Sequence, residues 1–179
     1  MPLTEPDASA APDASIACVD EVAVGRFAKH FAAALPPRVM IALEGDLGAG
    51  KTTFVKMLAS AVGINPAEVT SPTFTIVHLY EGPHGAGNSP PARLTHIDAY
   101  RLSGVDEVVA LGWEELVAEE SWLLVEWPER IEAALPAERI RLHIEITGES
   151  SRTLHLAASS DRLKDAVHVA AVGFQASAE

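Results

Sequence analysis

The octet Gly45-Asp46-Leu47-Gly48-Ala49-Gly50-Lys51-Thr52 carries the densest chemical signal in the chain. It reads G-x-x-x-x-G-K-[ST], the spacing of a phosphate-binding loop. Glycines let the backbone turn tightly and present successive N–H groups to an anion. A helix starting at the end of the loop aims its dipole and its unpaired N–H groups at the same place. Lys51 supplies a point charge for the β- and γ-phosphates, and the Thr52 hydroxyl is an oxygen donor for Mg²⁺. Asp46, Leu47, Gly48, Ala49, Gly50, Lys51, Thr52 and Thr53 are therefore predicted to wrap the phosphates of a nucleotide.

Phosphate binding alone does not define a reaction. Hydrolysis also needs an acid at the end of a neighbouring strand, to hold Mg²⁺ or its waters and to orient the attacking water. Asp98 ends Leu94-Thr95-His96-Ile97-Asp98, and Glu126 ends Trp122-Leu123-Leu124-Val125-Glu126. Four apolar residues followed by an acid favour Glu126 as the metal-side group. Both acids sit where α/β proteins form their ligand clefts. The hydroxyl-dense run Thr70-Ser71-Pro72-Thr73-Phe74-Thr75 has the make-up of a loop that orders around a γ-phosphate; a plain turn built from turn-formers is the alternative. His96 lies two residues before Asp98, on the same strand face. It either tunes that acid, contacts phosphate, or simply satisfies a hydrogen bond in the core. Arg101 offers charge to a transition state or forms a surface ion pair. Trp127, next to Glu126, either walls the nucleotide site or is an ordinary packing aromatic. The seven histidines lack metal-ligand spacing, which argues against structural zinc. No Asn-Lys-x-Asp stretch for reading guanine is present, which points to ATP.

These residues need a scaffold. Residues 38–43 form a short, mostly apolar run suited to a buried parallel strand. Residues 53–62 place Phe54, Leu58 and Ala61 on helical spacing, with Gly63 as the stop. Asp20 caps a helix to about residue 35, closed by Pro36-Pro37. Strands are predicted at 15–19, 74–80, 94–98 and 122–126, and helices at 106–120, 128–135 and 160–172. Residues 139–146 alternate, as do 152–156 after a turn, which describes an antiparallel hairpin. Residues 81–91 are rich in Gly and Pro and read as a loop tip. The expected fold is α/β, a three-layer sandwich around a mostly parallel central sheet with an antiparallel C-terminal hairpin. The division is a disordered extension over 1–14, a nucleotide-binding domain over 15–159, and a C-terminal helix or tail over 160–179.

The chain has 179 residues, 48 % hydrophobic and 21 % charged, the balance of a single soluble globular domain. No apolar run reaches membrane-spanning length, so no membrane partner is expected. A single cysteine, Cys18, and a start without a basic, apolar leader fit a reducing cytoplasm. The net charge of −12 is poor equipment for gripping DNA or RNA directly. Any nucleic acid would be held by a partner.

Four blocks occur in order: Gly45 to Phe54, Ser71-Pro72-Thr73-Phe74-Thr75, His96-Ile97-Asp98-Ala99-Tyr100-Arg101-Leu102, and Glu126-Trp127-Pro128-Glu129-Arg130. Together they resemble the signature blocks of the bacterial TsaE family, formerly YjeE, over roughly residues 19–146. The resemblance implies a P-loop ATPase needed for threonylcarbamoyladenosine (t6A) at position 37 of tRNA, working with a TsaB–TsaD heterodimer. It implies ATP and Mg²⁺, with Lys51 on the β- and γ-phosphates and Thr52 and Glu126 as Mg²⁺ ligands. Asp98 would be the acid near the attacking water, Thr73 the switch-loop hydroxyl, and Trp127 a support of the site wall. Two other readings stay open: a nucleotide-dependent binding module in which hydrolysis is incidental, and a small-molecule kinase, against which stands the lack of an Arg-rich lid.

Overall fold

The computed structural model describes residues 11–72, 76–82 and 93–177. Seven strands form one sheet: β1 (Ala14–Cys18), β2 (Val39–Glu44), β3 (Val77–Glu81), β4 (Arg93–Asp98), β5 (Trp122–Glu126), β6 (Ile140–Ile146) and β7 (Arg152–Ala158). Their order is β1-β7-β6-β2-β5-β4-β3. The middle of the sheet, β6-β2-β5-β4, is parallel. β7 and β1 extend one edge antiparallel, and β3 closes the other edge antiparallel to β4.

Residues of β2 alternate between two cores, which is why its sequence is apolar without a break. Val39, Ile41 and Leu43 face a core shared with α1 (Glu21–Ala34), α2 (Lys51–Ala61) and α5 (Asp161–Ala176). Met40 and Ala42 face a second core under α3 (Val105–Ala110), α4 (Trp113–Ala118) and the short turns after β5. In the first core, Phe27 stacks on Phe31 at 5.6 Å and meets Phe174 edge-on at 5.9 Å, tying α1 to α5. The Asp20 carboxylate accepts from the Ala23 N–H at 2.7 Å, the N-cap that starts α1.

Several elements differ from the sequence reading. The expected helix over 106–120 is two helices, because Gly112 adopts φ +77° between them. The break swings Trp113 inward, where its Nε1–H donates to the Ala134 carbonyl at 2.9 Å. The expected helix over 128–135 is a pair of 3-10 turns, Pro128–Arg130 and Glu132–Ala134, interrupted at Ile131, whose side chain is buried in the second core. The final helix continues past Val172 to Ala176. Phe174 packs into the first core, and a Cβ on Gly173 would stand 2.8 Å from His30 Nδ1, so the His30 ring would have to shift to admit it. The strand expected over 74–80 spans Val77–Glu81, with its first two predicted residues among those not described. The readings of residues 1–10 and 83–91 also fall outside the described residues. Among the described residues, no helix is long and apolar enough to cross a membrane.

Cys18 closes β1 with 2 % of its surface exposed. Burial pushes its thiol up to about 11 from 9.0, with Arg26 opposing and Asp20 assisting. The folded chain thus keeps a proton that the unfolded chain releases above pH 9. This contribution is complete below pH 9 and is lost as pH rises toward 11, by about 2–3 kcal/mol. Urea titrations at pH 8 and pH 11 check it: wild type is expected to lose that much more stability than Cys18→Ala. Equal losses would refute it.

Candidate functional site

The loop between β2 and α2 opens on Gly45, at φ +132°. A Cβ there would stand 2.5 Å from the Ile144 carbonyl oxygen, so neighbouring β6 admits only glycine. Gly50 takes φ +106° as the N-cap of α2, and the Phe54 N–H donates to its carbonyl at 2.8 Å to begin the helix. The first-turn N–H groups therefore face the loop without intrahelical partners. Asp46 and Leu47 are exposed at the loop apex, whereas Ala49 is buried. Arg152 on β7 donates from Nε to the Ala49 carbonyl at 2.9 Å and braces the loop from outside.

Lys51, at the start of α2, is 95 % buried, being 5 % exposed. Its Nζ donates to the carbonyls of Gly45 at 2.6 Å and Asp46 at 3.0 Å. The same nitrogen lies 3.8 Å from the centroid of the Trp127 ring. Trp127 reaches it from a left-handed backbone, φ 59°, and Tyr100 packs on its ring at 5.0 Å. Burial depresses the Lys51 ammonium below its ordinary value, against the opposing pull of Glu126, Glu129, Asp98 and Asp46. An anion beside Nζ would relieve that desolvation.

The two strand-end acids are direct register partners, Asp98 on β4 and Glu126 on β5. They have different company. Asp98 accepts from the Ser71 hydroxyl at 3.0 Å and from the Tyr100 N–H at 3.1 Å. Glu126 Oε1 accepts from the Thr52 hydroxyl at 2.7 Å and stands 2.8 Å from His96 Nε2. Of the roles left open for His96, tuning Asp98 is not the one found, since its hydrogen bond goes to Glu126. In the parallel pairing His96 lies opposite Leu124, two residues before Glu126, and the Asp98 side chain is turned toward the following turn.

Lys51, Thr52, Thr53, Gly48, Gly50, Leu47, Asp98, Glu126 and Trp127 line one cleft of about 360 Å³, with Ser71 and Tyr100. Thr73 lies outside the described residues. Arg101 is exposed and is not part of the cleft lining. On the far side of the loop, a cavity of about 280 Å³ shares Gly48, Gly50 and Thr53 and adds Val24, Met57, Ile144 and Leu154. A third cavity, about 300 Å³, lies by Arg38, Ser121 and Arg162 near the starts of β2 and β5. Ser71, Tyr100 and Arg152 were not assigned roles from sequence. Ser71 and Tyr100 stand inside the quoted blocks, but Arg152 has no local signal, since β7 brings it to the loop.

Among the described residues, no group of three or more His, Cys, Asp or Glu side chains could hold a metal ion. The Thr52–Glu126 pair is instead a partial oxygen set. That suits Mg²⁺, which keeps waters and takes phosphate oxygens beside one or two protein ligands.

Comparison with known proteins identifies relatives of this chain. The family model described as threonylcarbamoyl adenosine biosynthesis protein TsaE matches residues 18–154. The chain is 41 % identical over 135 residues to the tRNA threonylcarbamoyladenosine biosynthesis protein TsaE of Bacillus subtilis, covering 75 % of this chain and 79 % of that one. It is 31 % identical over 153 residues to the Haemophilus influenzae protein of the same description, covering 83 % and 91 %. The crystal structure of YdiB from Bacillus subtilis superposes with a TM-score of 0.68 at 31 % identity, covering 89 % of this chain and 94 % of that one. A family model that matches residues 18–154, together with relatives 31–41 % identical over most of its length, places this chain in the threonylcarbamoyl adenosine biosynthesis protein TsaE family.

Proposed function

We propose that the protein is a cytoplasmic ATPase that binds ATP with Mg²⁺ and, by hydrolysing it, drives turnover of a TsaB–TsaD complex forming t6A on tRNA. The observation that carries the reading is the meeting of Lys51, Thr52, Asp98 and Glu126 in one cleft. The family membership, and relatives that are tRNA threonylcarbamoyladenosine biosynthesis proteins, support the tRNA product.

Lys51 and the first-turn N–H groups of α2 would hold the β- and γ-phosphates. Thr52 and Glu126 would hold Mg²⁺, which supplies positive charge to the phosphate oxygens. Asp98, oriented by Ser71 and the Tyr100 N–H, is the group to take a proton from the attacking water. The water oxygen bonds to the γ-phosphorus as the bond to the β–γ bridging oxygen breaks, and that oxygen leaves on ADP. The cavity by Val24, Met57, Ile144 and Leu154 is continuous in lining with the loop and would take the nucleoside. The chain's acidity agrees with tRNA being gripped by the partners.

No arginine lines the phosphate cleft among the described residues, so hydrolysis by the isolated chain is expected to be slow. Asp98→Asn and Glu126→Gln are expected to cut hydrolysis in the assembled complex by about 10²–10³-fold, or 3–4 kcal/mol, while sparing nucleotide binding more. Phosphate release and equilibrium binding measured side by side check this. Normal hydrolysis by both variants would sink the assignment. A second reading, a module that docks when ATP is bound, is favoured by the same cleft lining, which holds no arginine among the described residues. A non-hydrolysable ATP analogue separates them: undiminished multiple-turnover t6A formation would select the docking module.

A further inference from the structure

We propose that His96 is a positioning residue, whose imidazole fixes the Glu126 carboxylate in the orientation that the Thr52–Glu126 cation site needs. The inference rests on the ATP and Mg²⁺ reading above.

His96 is fully buried, and its Nε2 stands 2.8 Å from Glu126 Oε1. A carboxylate only accepts, so Nε2 carries the proton and donates. The Thr52 hydroxyl donates to the same Oε1 at 2.7 Å. One oxygen thus ties together β4, β5 and α2. Two donors on Oε1 stop the carboxylate rotating and so fix where Oε2 stands. Groups that hold a ligand's orientation from behind set metal affinity as much as the ligand's own identity does.

The other ring nitrogen shows that folding alone does not call for histidine here. His96 Nδ1 is buried with no hydrogen-bond partner among the described residues. An unpaired polar atom in an apolar core is costly, and the flanking Leu94 and cross-strand Leu124 are both core residues. Leucine at position 96 would remove that cost. The Nε2–H bond to Glu126 is the one interaction it could not replace.

The test compares wild type, His96→Leu and His96→Gln. Binding of a fluorescent ATP analogue is measured across a MgCl₂ series and in EDTA, and melting is followed in the same buffers. His96→Leu is expected to weaken the apparent Mg²⁺ affinity by about 10–100-fold. Its Mg²⁺-free nucleotide affinity should stay unchanged, because Thr52 still donates to Oε1. His96→Gln, whose amide N–H can reach the Nε2 position, should restore the Mg²⁺ dependence. Should leucine prevent folding, His96→Asn against His96→Gln asks the same question, because only the longer amide reaches Oε1. A wild-type Mg²⁺ dependence in His96→Leu overturns the proposal. So does a joint loss of melting temperature and Mg²⁺-free affinity, which marks a merely structural role, or a correctly folded His96→Gln without restored dependence. Wild-type protein that binds the analogue equally well with and without Mg²⁺ overturns the functional reading instead, before any variant is compared.

Discussion

Lys51→Ala is expected to weaken nucleotide binding by about 2–5 kcal/mol, roughly thirty-fold to several thousand-fold. The lysine is held ready rather than recruited: two loop carbonyls and the Trp127 face fix its ammonium. Little side-chain entropy remains to be lost when phosphate arrives. Its removal also takes away the positive charge set among four acids. Asp46, Asp98, Glu126 and Glu129 all act on Lys51 electrostatically, and without it they would face the phosphates uncompensated. Titration calorimetry with ATP and MgCl₂ measures the loss. Binding within a few-fold of wild type would show that Lys51 is not the phosphate ligand.

Phe27→Ala is expected to cost about 3–5 kcal/mol of stability, a large part of what a domain of this size has. Phe27 has no exposed surface, and its ring meets Phe31, Phe54 and Phe174. It is the point where α1, α2 and α5 share one packing unit. Truncation leaves a cavity that three helices border, and none can collapse into it without losing its own register. Urea unfolding at neutral pH measures the change. A loss below about 1 kcal/mol would mean that the helical layer repacks freely.

The parallel core was legible because burial on both faces writes an unbroken apolar run. Residues 39–43 and 122–125 could hardly be anything else, and a final acid on a strand marks the cleft edge. Asp20 was equally readable, since its capping bond is local. Elements failed where tertiary contacts outvoted local pattern. The spacing of Val109, Trp113 and Leu116 suits one helix, yet Gly112 takes a left-handed turn so that Trp113 can bury its ring and still find an acceptor. The last helix is predicted to end at residue 172, but it runs on through Gly173, where α5 passes close to His30.

The site was legible as a set of residue types and not as a set of partnerships. Strand periodicity put His96 and Asp98 on one face, which was sound. It could not say which neighbour His96 would bond, because that depends on the register between β4 and β5. Arg152 was silent for the same reason, as only the folded sheet brings it to Ala49.

The central position of β2 has a consequence for how the molecule comes into being. Its two partners, β5 and β6, both lie far downstream in the chain. Such pairings close large loops and are made late on a folding route. A nascent chain that has formed α1 and α2 holds Lys51 and Thr52 but neither acid nor the Ile144 backbone against which Gly45 turns. On the proposed ATP reading, phosphate affinity would arrive with sheet closure, and nucleotide in the surroundings would stabilise only the finished molecule, never its precursors.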